Sequence, residues 1–315
     1  MALSFRLKKI FEALGLYGFA ALAYLRWLAV KQGIRLELGE TAHGQTIGFH
    51  GTQGRCIVLS RRHVMYGGDM IKFFDYYYDA VVPSSQNGEN IVDYSQPAWQ
   101  TLKQSGVKFH FSSLPESDTT TSIYLGKAAL GPNDVIIDLG GYCGASSYFF
   151  AKAAGSGSRI LCLEPDPLNY DSLQKNIRFH QLQNVTPLPL AVWSHSGKLP
   201  FETEGSMGSG VNETHPRNTR SVEIESITLE ELAAKHRLER IDFIKMDIEG
   251  AESVVLRSAA SLLRKYRPRL IIEPHVVAGK LNTDEVAQIL SEIGYKFEFI
   301  PQGELQLPLI FATMS

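Results

Sequence analysis

The stretch VIIDLGGYCG, residues 135–144, decides the fold, because it joins an apolar run to a cluster of glycines. The run at residues 135–139 is interrupted only by Asp138, as in strands that are buried on both faces of a parallel sheet. Residues 145–154 have the composition of a helix, which Gly155 ends. The stretch therefore predicts a strand, a glycine turn and a helix, which form the first unit of an α/β sheet.

The same alternation of strand and helix continues along the second half of the chain. Residues 159–163 are a second apolar run, and Asp166 with Pro167 is typical of a helix start, where an N-cap precedes a proline. Residues 241–246 and 269–273 are two further apolar runs of strand length. Repeated units of this kind predict a doubly wound α/β sheet.

Helix signals mark the boundaries between these strands. Thr228 and Glu231 have capping-box spacing at the start of one helix. Another helix has its apolar residues at helical spacing and ends at Gly294. Residues 295–300 and 305–312 are then predicted to close the sheet as a pair of strands.

The N-terminal third of the chain has a different pattern. Residues 33–83 contain short alternating stretches broken by glycine and histidine, which predicts a small β-rich module. Residues 83–121 are polar and rich in turn-forming residues, and we interpret them as a connecting region without a core. We therefore expect two domains: residues 1–117, with a helix and the β-rich module, and residues 118–315, with the α/β sheet.

An uncharged run at residues 13–25 lies between Glu12 and Arg26. Its 13 residues are fewer than the roughly 20 that a membrane-spanning helix needs. We expect no export, because no disulfide-rich chain of the secreted type follows. Two interpretations of residues 1–31 stay open: an interfacial helix at a membrane surface, and a helix packed on the protein or on a second copy of it.

Charge and cysteine content narrow the partners and the compartment. The chain has 31 basic and 33 acidic residues and a formal net charge of -2, so it offers no general attraction to nucleic acid. Its three cysteines are an odd number without CxxC spacing, which fits a reducing compartment. We expect a cytoplasmic protein with no nucleic-acid partner, membrane-associated only if residues 1–31 contact lipid.

Residues that follow the apolar runs are the candidates for ligand binding, because ligands bind at the carboxyl ends of the strands in doubly wound sheets. A dinucleotide-binding turn needs a glycine two positions after the first, where this chain has Tyr142 after Gly140. A nucleoside without phosphates fits better, since Glu164 ends the second strand and is placed to accept both ribose hydroxyls. Glycine-rich turns also end strands for structural reasons alone, and that interpretation stays open.

Six segments of the chain occur in an order that resembles one known family. They are VIIDLGGYCG, LCLEPDP, LAVWS, ITLEEL, IDFIKMDIEGAE and RPRLIIEPH. Across roughly residues 118–300 they resemble the FkbM-like family of S-adenosylmethionine-dependent methyltransferases, and D-x-E-G-A-E is the most specific segment. One position departs from the family pattern, because Tyr142 stands where the family usually has Asn.

The resemblance implies a Rossmann-like methyltransferase sheet of seven strands, the last one antiparallel, and S-adenosylmethionine as cofactor. It implies O-methylation of a hydroxyl on a glycan or another small molecule. It also implies contacts with the methionine end, the ribose and the adenine of the cofactor. The cofactor-binding residues that we predict are Asp138, Gly140, Gly141, Tyr142 and Gly144 after the first strand, Glu164 and Pro165 after the second, and Leu190 and Ala191 near the adenine.

The acids of DIEGAE are the candidates for catalysis. An alcohol that is methylated must lose its proton, and a carboxylate in a partly dry cleft is a suitable base. We predict Asp247, at the end of the fourth strand, as that base, with Glu249 and His275 as further catalytic candidates. We interpret Glu252 as a helix-start residue that the helix dipole favours.

The fifth strand ends in Glu273 and His275, beside these acids. A histidine among several acids is also how metal sites are built, but no fixed ligand spacing is present, so we predict an acid/base cluster and no metal. We assign no role to Lys245, which could equally be a solvated surface charge. Residues 205–215 are either a mobile loop on the substrate side or an ordinary surface turn.

Two other functions stay open at this point. The first is a non-catalytic module that kept the cofactor-binding fold for binding or assembly. The second is an NAD-dependent oxidoreductase, which the missing second glycine disfavours. The first alternative stays open because of Tyr142, although the motif residues that are intact argue against it: Asp138, Gly140, Gly144, Glu164 and Asp247.

Overall fold

The computed structural model describes residues 17–86, 88–115, 118–211, 220–302 and 307–314. Parts of several predictions lie outside these residues: residues 1–16 of the N-terminal segment, residues 87 and 116–117 of the connecting region, the end of the loop at residues 205–215, and residues 303–306 between the two closing strands and at the start of the second. The chain divides into two compact units, Met1–Pro115 and Glu116–Ser315. Each unit has its own sheet.

The first unit begins with helix α1 (Tyr17–Lys31). Its buried side chains recur at helical spacing, at Leu22, Leu25, Leu28 and Ala29. Leu25 packs so closely on the helix-start residue Gly67 that a Cβ there would lie 2.7 Å from its Cδ1 atom. None of the helices in the described residues is both long and apolar enough to cross a membrane. One face of α1 therefore packs on the first unit, as one of the two interpretations expected.

A five-stranded sheet follows α1 in the order β1-β2-β3-β5-β4. All its neighbouring strands are antiparallel except β3 and β5, and a separate hairpin, β6 and β7, follows the sheet. A 3-10 helix (Arg61–Tyr66) and the short helices α2 (Gly67–Lys72) and α3 (Phe74–Tyr78) connect β3 to β4. The strands are β1 (Arg35–Thr41), β2 (Gly44–His50), β3 (Arg55–Ser60), β4 (Ser84–Gln86), β5 (Glu89–Tyr94), β6 (Ala98–Thr101) and β7 (Lys108–Phe111).

The interpretation of residues 83–121 as a connecting region without a core is wrong. Four strands lie within it, and β5 pairs with β3 in the interior of the sheet. Val92 and Tyr94 on β5 are buried, and so are Phe109 and Phe111 on β7. In each strand a polar residue separates the two buried apolar residues, so the sequence resembled that of a loop. The apolar residues nevertheless follow the strand period of two.

The second unit contains a seven-stranded sheet in the order β10-β9-β8-β15-β16-β20-β19, or 3-2-1-4-5-7-6 by position along the chain. The first five of these strands are parallel, and β20 is antiparallel to both of its neighbours. The predicted doubly wound sheet with an antiparallel last strand is confirmed. The strands are β8 (Val135–Leu139), β9 (Arg159–Leu163), β10 (Val185–Leu188), β15 (Phe243–Met246), β16 (Arg269–Ile272), β19 (Lys296–Ile300) and β20 (Leu309–Thr313).

Helices cover both faces of this sheet, because alternate residues of each central strand are buried in different cores. Ile137 and Leu161 belong to one core, and Ile136 and Ile160 belong to the other. This is the arrangement expected of apolar strands that lack a polar face. The helices are α4 (Asp118–Ala128), α5 (Ala145–Ala154), α6 (Pro167–Phe179), α7 (Leu229–Lys235), α8 (Glu252–Ser258), α9 (Ala260–Tyr266) and α10 (Thr283–Ile293).

The predicted helix signals have the expected geometry. Asp166 is the N-cap of α6 and accepts a hydrogen bond from the Leu168 backbone N–H at 2.8 Å. Thr228 is the N-cap of α7, and Gly294 ends α10 in the left-handed conformation. These short-range signals fix where the helices begin and end.

A second, four-stranded sheet was not predicted. Its order is β11-β14-β12-β13, and it is mainly antiparallel. The described part of the unit also contains a small hairpin, β17 and β18. Their bounds are β11 (Ala191–Val192), β12 (Gly197–Thr203), β13 (Gly210–Val211), β14 (Arg220–Ile227), β17 (Val276–Val277) and β18 (Lys280–Leu281).

Candidate active site

The crevice of the sheet lies between β8 and β15, where the strand order reverses direction. At this point the glycine turn after β8 crosses the chain that leaves β15. Gly140 has a φ of +74°, and a Cβ on it would lie 1.7 Å from the backbone oxygen of Asp247. Only glycine can occupy this position without moving one of the two loops.

Asp138 lies at the end of β8 and is fully buried. Its Oδ2 atom accepts hydrogen bonds from the hydroxyls of Ser146 and Ser147, both at 2.7 Å. Its Oδ1 atom accepts no hydrogen bond from the described residues and lies 3.5 Å from Lys245 Nζ. Asp138 therefore has one oxygen held by the start of α5 and one that faces a buried cation.

Lys245, to which the sequence assigned no role, is not a solvated surface charge. Its side chain is 2% exposed, and its Nζ donates a hydrogen bond to the Gly140 carbonyl at 2.6 Å. The same Nζ lies 3.4 Å from Asp247 Oδ2. A lysine inside a strand that is otherwise apolar was itself the signal, because such a charge is buried only when it is paired. Lys245 joins the glycine turn to the acids after β15.

Tyr142, the departure from the family pattern, adopts a φ of +47° in the glycine turn. Its side chain is buried, and its backbone N–H donates to Glu164 Oε2 at 2.9 Å. A bulky residue at positive φ is uncommon. The hydrogen bond to Glu164 ties the turn after β8 to the end of β9.

Glu164 is a buried carboxylate with several protein donors. Its Oε1 atom accepts from the Asp166 backbone N–H at 2.9 Å and from Asn169 Nδ2 at 3.3 Å. Burial, with the nearby charge of Asp166, raises the pKa of Glu164 to about 8, although these hydrogen bonds oppose the shift. Glu164 is thus held at the predicted ribose position in a form that is easily protonated.

The described part of the loop at residues 205–215 is anchored to the end of β9. Asp166 Oδ2 accepts hydrogen bonds from Thr203 Oγ1 at 2.6 Å, the Gly205 backbone N–H at 3.0 Å and Ser209 Oγ at 2.7 Å. Because the same aspartate caps α6, one buried side chain fixes both a helix start and this loop.

Three further predicted cofactor residues follow the ends of β9 and β10 along the chain. Pro165 stands between Glu164 and Asp166, the N-cap of α6. Leu190 lies between β10 and β11, and Ala191 is the first residue of β11. Ala191 is buried, and Leu190 packs on the main core. Their contacts with an adenine stay a prediction.

His275 brings the predicted catalytic residues together. Its Nε2 atom lies 3.5 Å from Asp247 Oδ1 and 3.5 Å from Glu249 Oε1. The imidazole is largely buried, whereas the Asp247 side chain is 27% exposed and can be reached from solvent. The three residues that were predicted for catalysis therefore form one cluster.

The interpretation of Glu252 as a helix-start residue is correct in position but incomplete. Glu252 is fully buried at the first residue of α8. Its Oε1 atom lies 2.9 Å from His275 Nδ1 and accepts from the Gly250 backbone N–H at 3.1 Å. Its Oε2 atom accepts from Asn282 Nδ2 at 2.9 Å. Glu252 thus fixes the orientation of the His275 ring.

Opposite effects act on the pKa values of this pair. Burial lowers the pKa of His275, but the charges of Glu249, Glu252 and Asp247 outweigh it and raise the pKa well above its usual value. Burial raises the pKa of Glu252, but the charge and hydrogen bond of His275, with the hydrogen bond from Asn282, produce a net lowering. The fold therefore favours an imidazolium between carboxylates.

Glu273, immediately after β16, faces the same cluster. Burial and the charge of Asp247 raise its pKa to about 7, against the opposing effects of His275 and Lys245. The Tyr124 hydroxyl donates to its Oε2 atom at 3.3 Å. Burial, and secondarily Asp247, therefore makes Glu273 easier to protonate than an exposed glutamate.

Two groups of side chains in the described residues have ligand atoms close enough to hold a metal ion. Asp247, Glu249 and His275 form one, with one ligand atom from each residue within 4.8 Å of the others. His50, Cys56 and Glu89, in the first unit, form the other. The first group contains two carboxylates and the second a thiol, so they suit different metals.

Comparisons with known proteins identify a family for the second unit. The sequence model described as "Methyltransferase FkbM domain" matches residues 138–297, about half of the chain. The chain is 29% identical over 161 residues to "Hexuronic acid methyltransferase AglP" of Haloferax volcanii, which covers 51% of this chain and 62% of that protein. It is 25% identical over 152 residues to "2-O-methyltransferase NoeI" of Sinorhizobium fredii, which covers 43% of this chain and 61% of that protein.

These matches span less than two thirds of the length of either curated relative. Among solved structures, the crystal structure of Methyltransferase FkbM from Methylobacillus flagellatus KT aligns with a TM-score of 0.44 and 16% identity, over 80% of this chain and 54% of that one. The match of the sequence model covers the glycine turn, Glu164 and the acids after β15.

Proposed function

Because the chain belongs to the FkbM methyltransferase family, we propose that it transfers a methyl group from S-adenosylmethionine to a hydroxyl of a glycan or another small molecule. The observation that carries the proposal is the crossing of the glycine turn and the acid loop at the switch point of the sheet. There, Gly140 touches the backbone of Asp247, which brings a nucleoside-binding turn and a candidate base together.

The residues present fit S-adenosylmethionine. Gly140 leaves the turn bare of side-chain atoms, Asp138 has an oxygen without a hydrogen bond from the described residues, and Glu164 is a buried acceptor. Asp138, Gly140 and Gly144 would hold the methionine end, and Glu164 would accept the ribose hydroxyls. When bound, the cofactor supplies a methyl group on a sulfonium, which forms a bond to oxygen while the bond to sulfur breaks and neutral S-adenosylhomocysteine leaves.

The protein then has to orient the acceptor and remove its proton. The Asp247 side chain is 27% exposed, against 16% for Glu249 and 0% for Glu252, so it is the acid of the three that an acceptor reaches first. Its Oδ2 atom faces Lys245 and its Oδ1 atom faces His275. Two cations therefore hold this carboxylate in place, and we assign to it the proton of the acceptor hydroxyl.

A sugar hydroxyl is the acceptor that the comparisons favour. One relative is named for hexuronic acid and another for 2-O-methylation. A sugar hydroxyl is a weak acid, so its methylation needs a base and a protected site, which the buried cluster around His275 supplies.

Methyl transfer from labelled S-adenosylmethionine to uronic acid glycosides and neutral glycosides tests this proposal. We expect transfer to at least one class of sugar, with S-adenosylhomocysteine as the second product. Titration calorimetry with S-adenosylhomocysteine and NAD separates the two alternatives. Binding of S-adenosylhomocysteine without transfer to any acceptor would favour a non-catalytic module, and binding of NAD alone would favour an oxidoreductase.

A further inference from the structure

Three side chains after β15 and β16 point their ligand atoms at one small volume. The Nε2 atom of His275 lies 3.5 Å from Asp247 Oδ1 and 3.5 Å from Glu249 Oε1, and all three atoms lie within 4.8 Å of one another. Octahedral ligands at about 2.1 Å from a cation lie about 3 Å apart when they are adjacent. Small side-chain rotations would therefore bring the three atoms onto one ion.

We propose that Asp247, Glu249 and His275 bind a divalent cation of the Mg²⁺ or Mn²⁺ type, which holds the acceptor hydroxyl during methyl transfer. The cation site stands on the geometry of these residues. Its part in catalysis rests on the proposed function.

The surroundings of His275 are an independent argument for a metal ligand. Metal-binding histidines usually donate their other ring N–H to a carboxylate, which fixes the ring and the tautomer. Glu252 is such a carboxylate: it is fully buried, lies 2.9 Å from His275 Nδ1 and is itself held by Asn282. This arrangement leaves Nε2 as the ring atom that faces the two partly exposed acids. A histidine that served only to pack would not need a buried carboxylate behind it.

The two oxygens of Asp247 have separate partners. Oδ2 lies 3.4 Å from Lys245 Nζ, so it faces the glycine turn. Oδ1 faces His275 and is the oxygen available to a cation. The lysine therefore does not compete for the same atom, and it balances part of the charge of Asp138 and Asp247.

The donor set indicates the class of metal. Two carboxylates and one imidazole leave coordination positions open for water or for an acceptor oxygen, which suits Mg²⁺ and Mn²⁺. The cation would displace the proton from His275 Nε2, as at any histidine ligand. Bound to the acceptor hydroxyl, it would favour loss of the hydroxyl proton by stabilising the alkoxide.

The second group of candidate ligands provides a comparison. In the first unit, the Sγ atom of Cys56 lies 4.0 Å from His50 Nε2, and Glu89 lies 3.2 Å from the other ring nitrogen. A cysteine sulfur is a soft ligand, which suits metals such as Zn²⁺ and not the hard cations Mg²⁺ and Mn²⁺. We therefore assign the Mn²⁺ site to the second unit alone.

The experiment uses the full-length protein after removal of metals with a chelator. Binding of Mn²⁺ is measured by electron paramagnetic resonance, in which the signal of the free ion disappears on binding. We expect one Mn²⁺ per chain and loss of this site in Asp247→Asn and Glu249→Gln, both changes at partly exposed positions. Glu252→Gln should weaken binding by about 10–100-fold, because Glu252 is not a ligand itself but orients the ligand His275.

Two variants serve as controls. Glu285→Gln removes an exposed acid of the same unit, which pairs with Arg257 on the surface, and His50→Gln alters the other group of ligands. Both should bind Mn²⁺ as the unaltered protein does. Stoichiometric binding that survives Asp247→Asn and Glu249→Gln, or that only His50→Gln abolishes, would overturn the proposal, and so would the absence of binding to the unaltered protein.

The same samples separate this inference from the proposed function. Titration with S-adenosylhomocysteine and the methyl-transfer assay are run with and without Mn²⁺. Transfer that proceeds at the same rate in excess chelator would remove the catalytic part of the inference and leave the methyltransferase function intact. Mn²⁺ binding without any affinity for S-adenosylhomocysteine would leave the cation site and remove the proposed function.

Discussion

Lys245 Nζ lies 3.4 Å from Asp247 Oδ2, two positions further along the chain, although the lysine is buried and the aspartate is partly exposed. The lysine extends into the glycine turn, and the aspartate stands at the opening of the crevice. This contact links the predicted cofactor site to the predicted catalytic site through a single ion pair.

Asp247→Asn keeps the shape of this side chain but removes its negative charge. We expect the rate of methyl transfer to fall by roughly 10²-fold or more, the usual contribution of a positioned base, while S-adenosylhomocysteine affinity changes far less. Transfer at the rate of the unaltered enzyme would exclude Asp247 as the base. A loss of S-adenosylhomocysteine binding would instead make it a binding residue.

Glu164→Ala removes the carboxylate that is predicted to accept the ribose hydroxyls. We expect S-adenosylhomocysteine binding to weaken by about 1.5–3 kcal/mol, the scale of charge-assisted hydrogen bonds. The matched control is Asp171→Ala, which removes an exposed acid that pairs with Lys175 on α6. An unchanged dissociation constant in a folded Glu164→Ala protein would refute the ribose assignment.

The pKa of about 8 for Glu164 makes S-adenosylhomocysteine binding depend on pH. Ribose hydroxyls donate to the ionised carboxylate, so binding favours loss of its proton. Affinity should fall by up to about tenfold for each pH unit below about 8, and binding at neutral pH should release a proton. Calorimetry in two buffers of different ionisation enthalpy measures that proton. A flat profile would contradict this account.

The raised pKa of Glu164 also acts on the protein without ligand. Because the fold favours the protonated carboxyl, its contribution to the free energy of unfolding is complete below the ordinary value of 4.5. It is lost as the pH rises through about 8. Glu164→Gln should flatten this part of the pH dependence of the melting temperature, which thermal denaturation across the range can detect.

Gly140→Ala tests the crossing of the two loops. A Cβ at this position would lie 1.7 Å from the backbone oxygen of Asp247, whereas at Gly279, which also has a positive φ, it would meet no atom within 4 Å. Gly279→Ala should therefore show backbone strain alone, about 1–3 kcal/mol of lost stability. Gly140→Ala should lose clearly more stability, and S-adenosylhomocysteine binding with it. Equal losses in the two variants would mean that the crossing is not tight.

The exposed face of α1 tests the membrane interpretation of residues 1–31. Trp27 is 54% exposed, Val30 is 79% exposed, and Lys31 Nζ lies 3.9 Å from the centre of the Trp27 ring. An aromatic residue beside a basic one is typical of helices at the membrane interface. We expect the protein to co-sediment with anionic vesicles and the double change Trp27→Glu with Val30→Glu to abolish it.

Val276→Glu, which changes an exposed apolar residue of the second unit, is the control for this experiment. It should leave co-sedimentation unchanged. If the unaltered protein fails to bind vesicles at any lipid concentration, the interpretation of α1 as a helix packed on the protein or on a second copy of it is the correct one.

The sequence predicted most of what depends on neighbours along the chain. The apolar run of β8, the N-cap Asp166 and the end of α10 at Gly294 are local signals, and each has the expected structure. The sheet of seven strands with an antiparallel last strand followed from the resemblance. By contrast, the four strands between residues 83 and 121 were missed, and the central one, β5, pairs with β3, whose Arg55 lies 35 residues before its partner Asn90.

The missed parts of the site depend on contacts between distant segments. Lys245 is buried because the register of β8 and β15 places it beside Asp138, and no local pattern contains that register. Glu252 lies at the start of α8, and it also orients the ring of His275. This second role depends on a residue that lies 23 positions later in the chain. Charge pairs of this kind become visible when the strand order and the register are both known.

The hydrogen bonds that Asp166 accepts have a consequence for recombination between related genes. One aspartate holds the start of α6 and a loop near Gly205, 39 residues later. A chimera that took only one of these two stretches from a relative with a different residue at position 166 would inherit a loop without its anchor. Lineages in which this loop changes length should therefore change residue 166 as well, and successful exchanges should carry both stretches together.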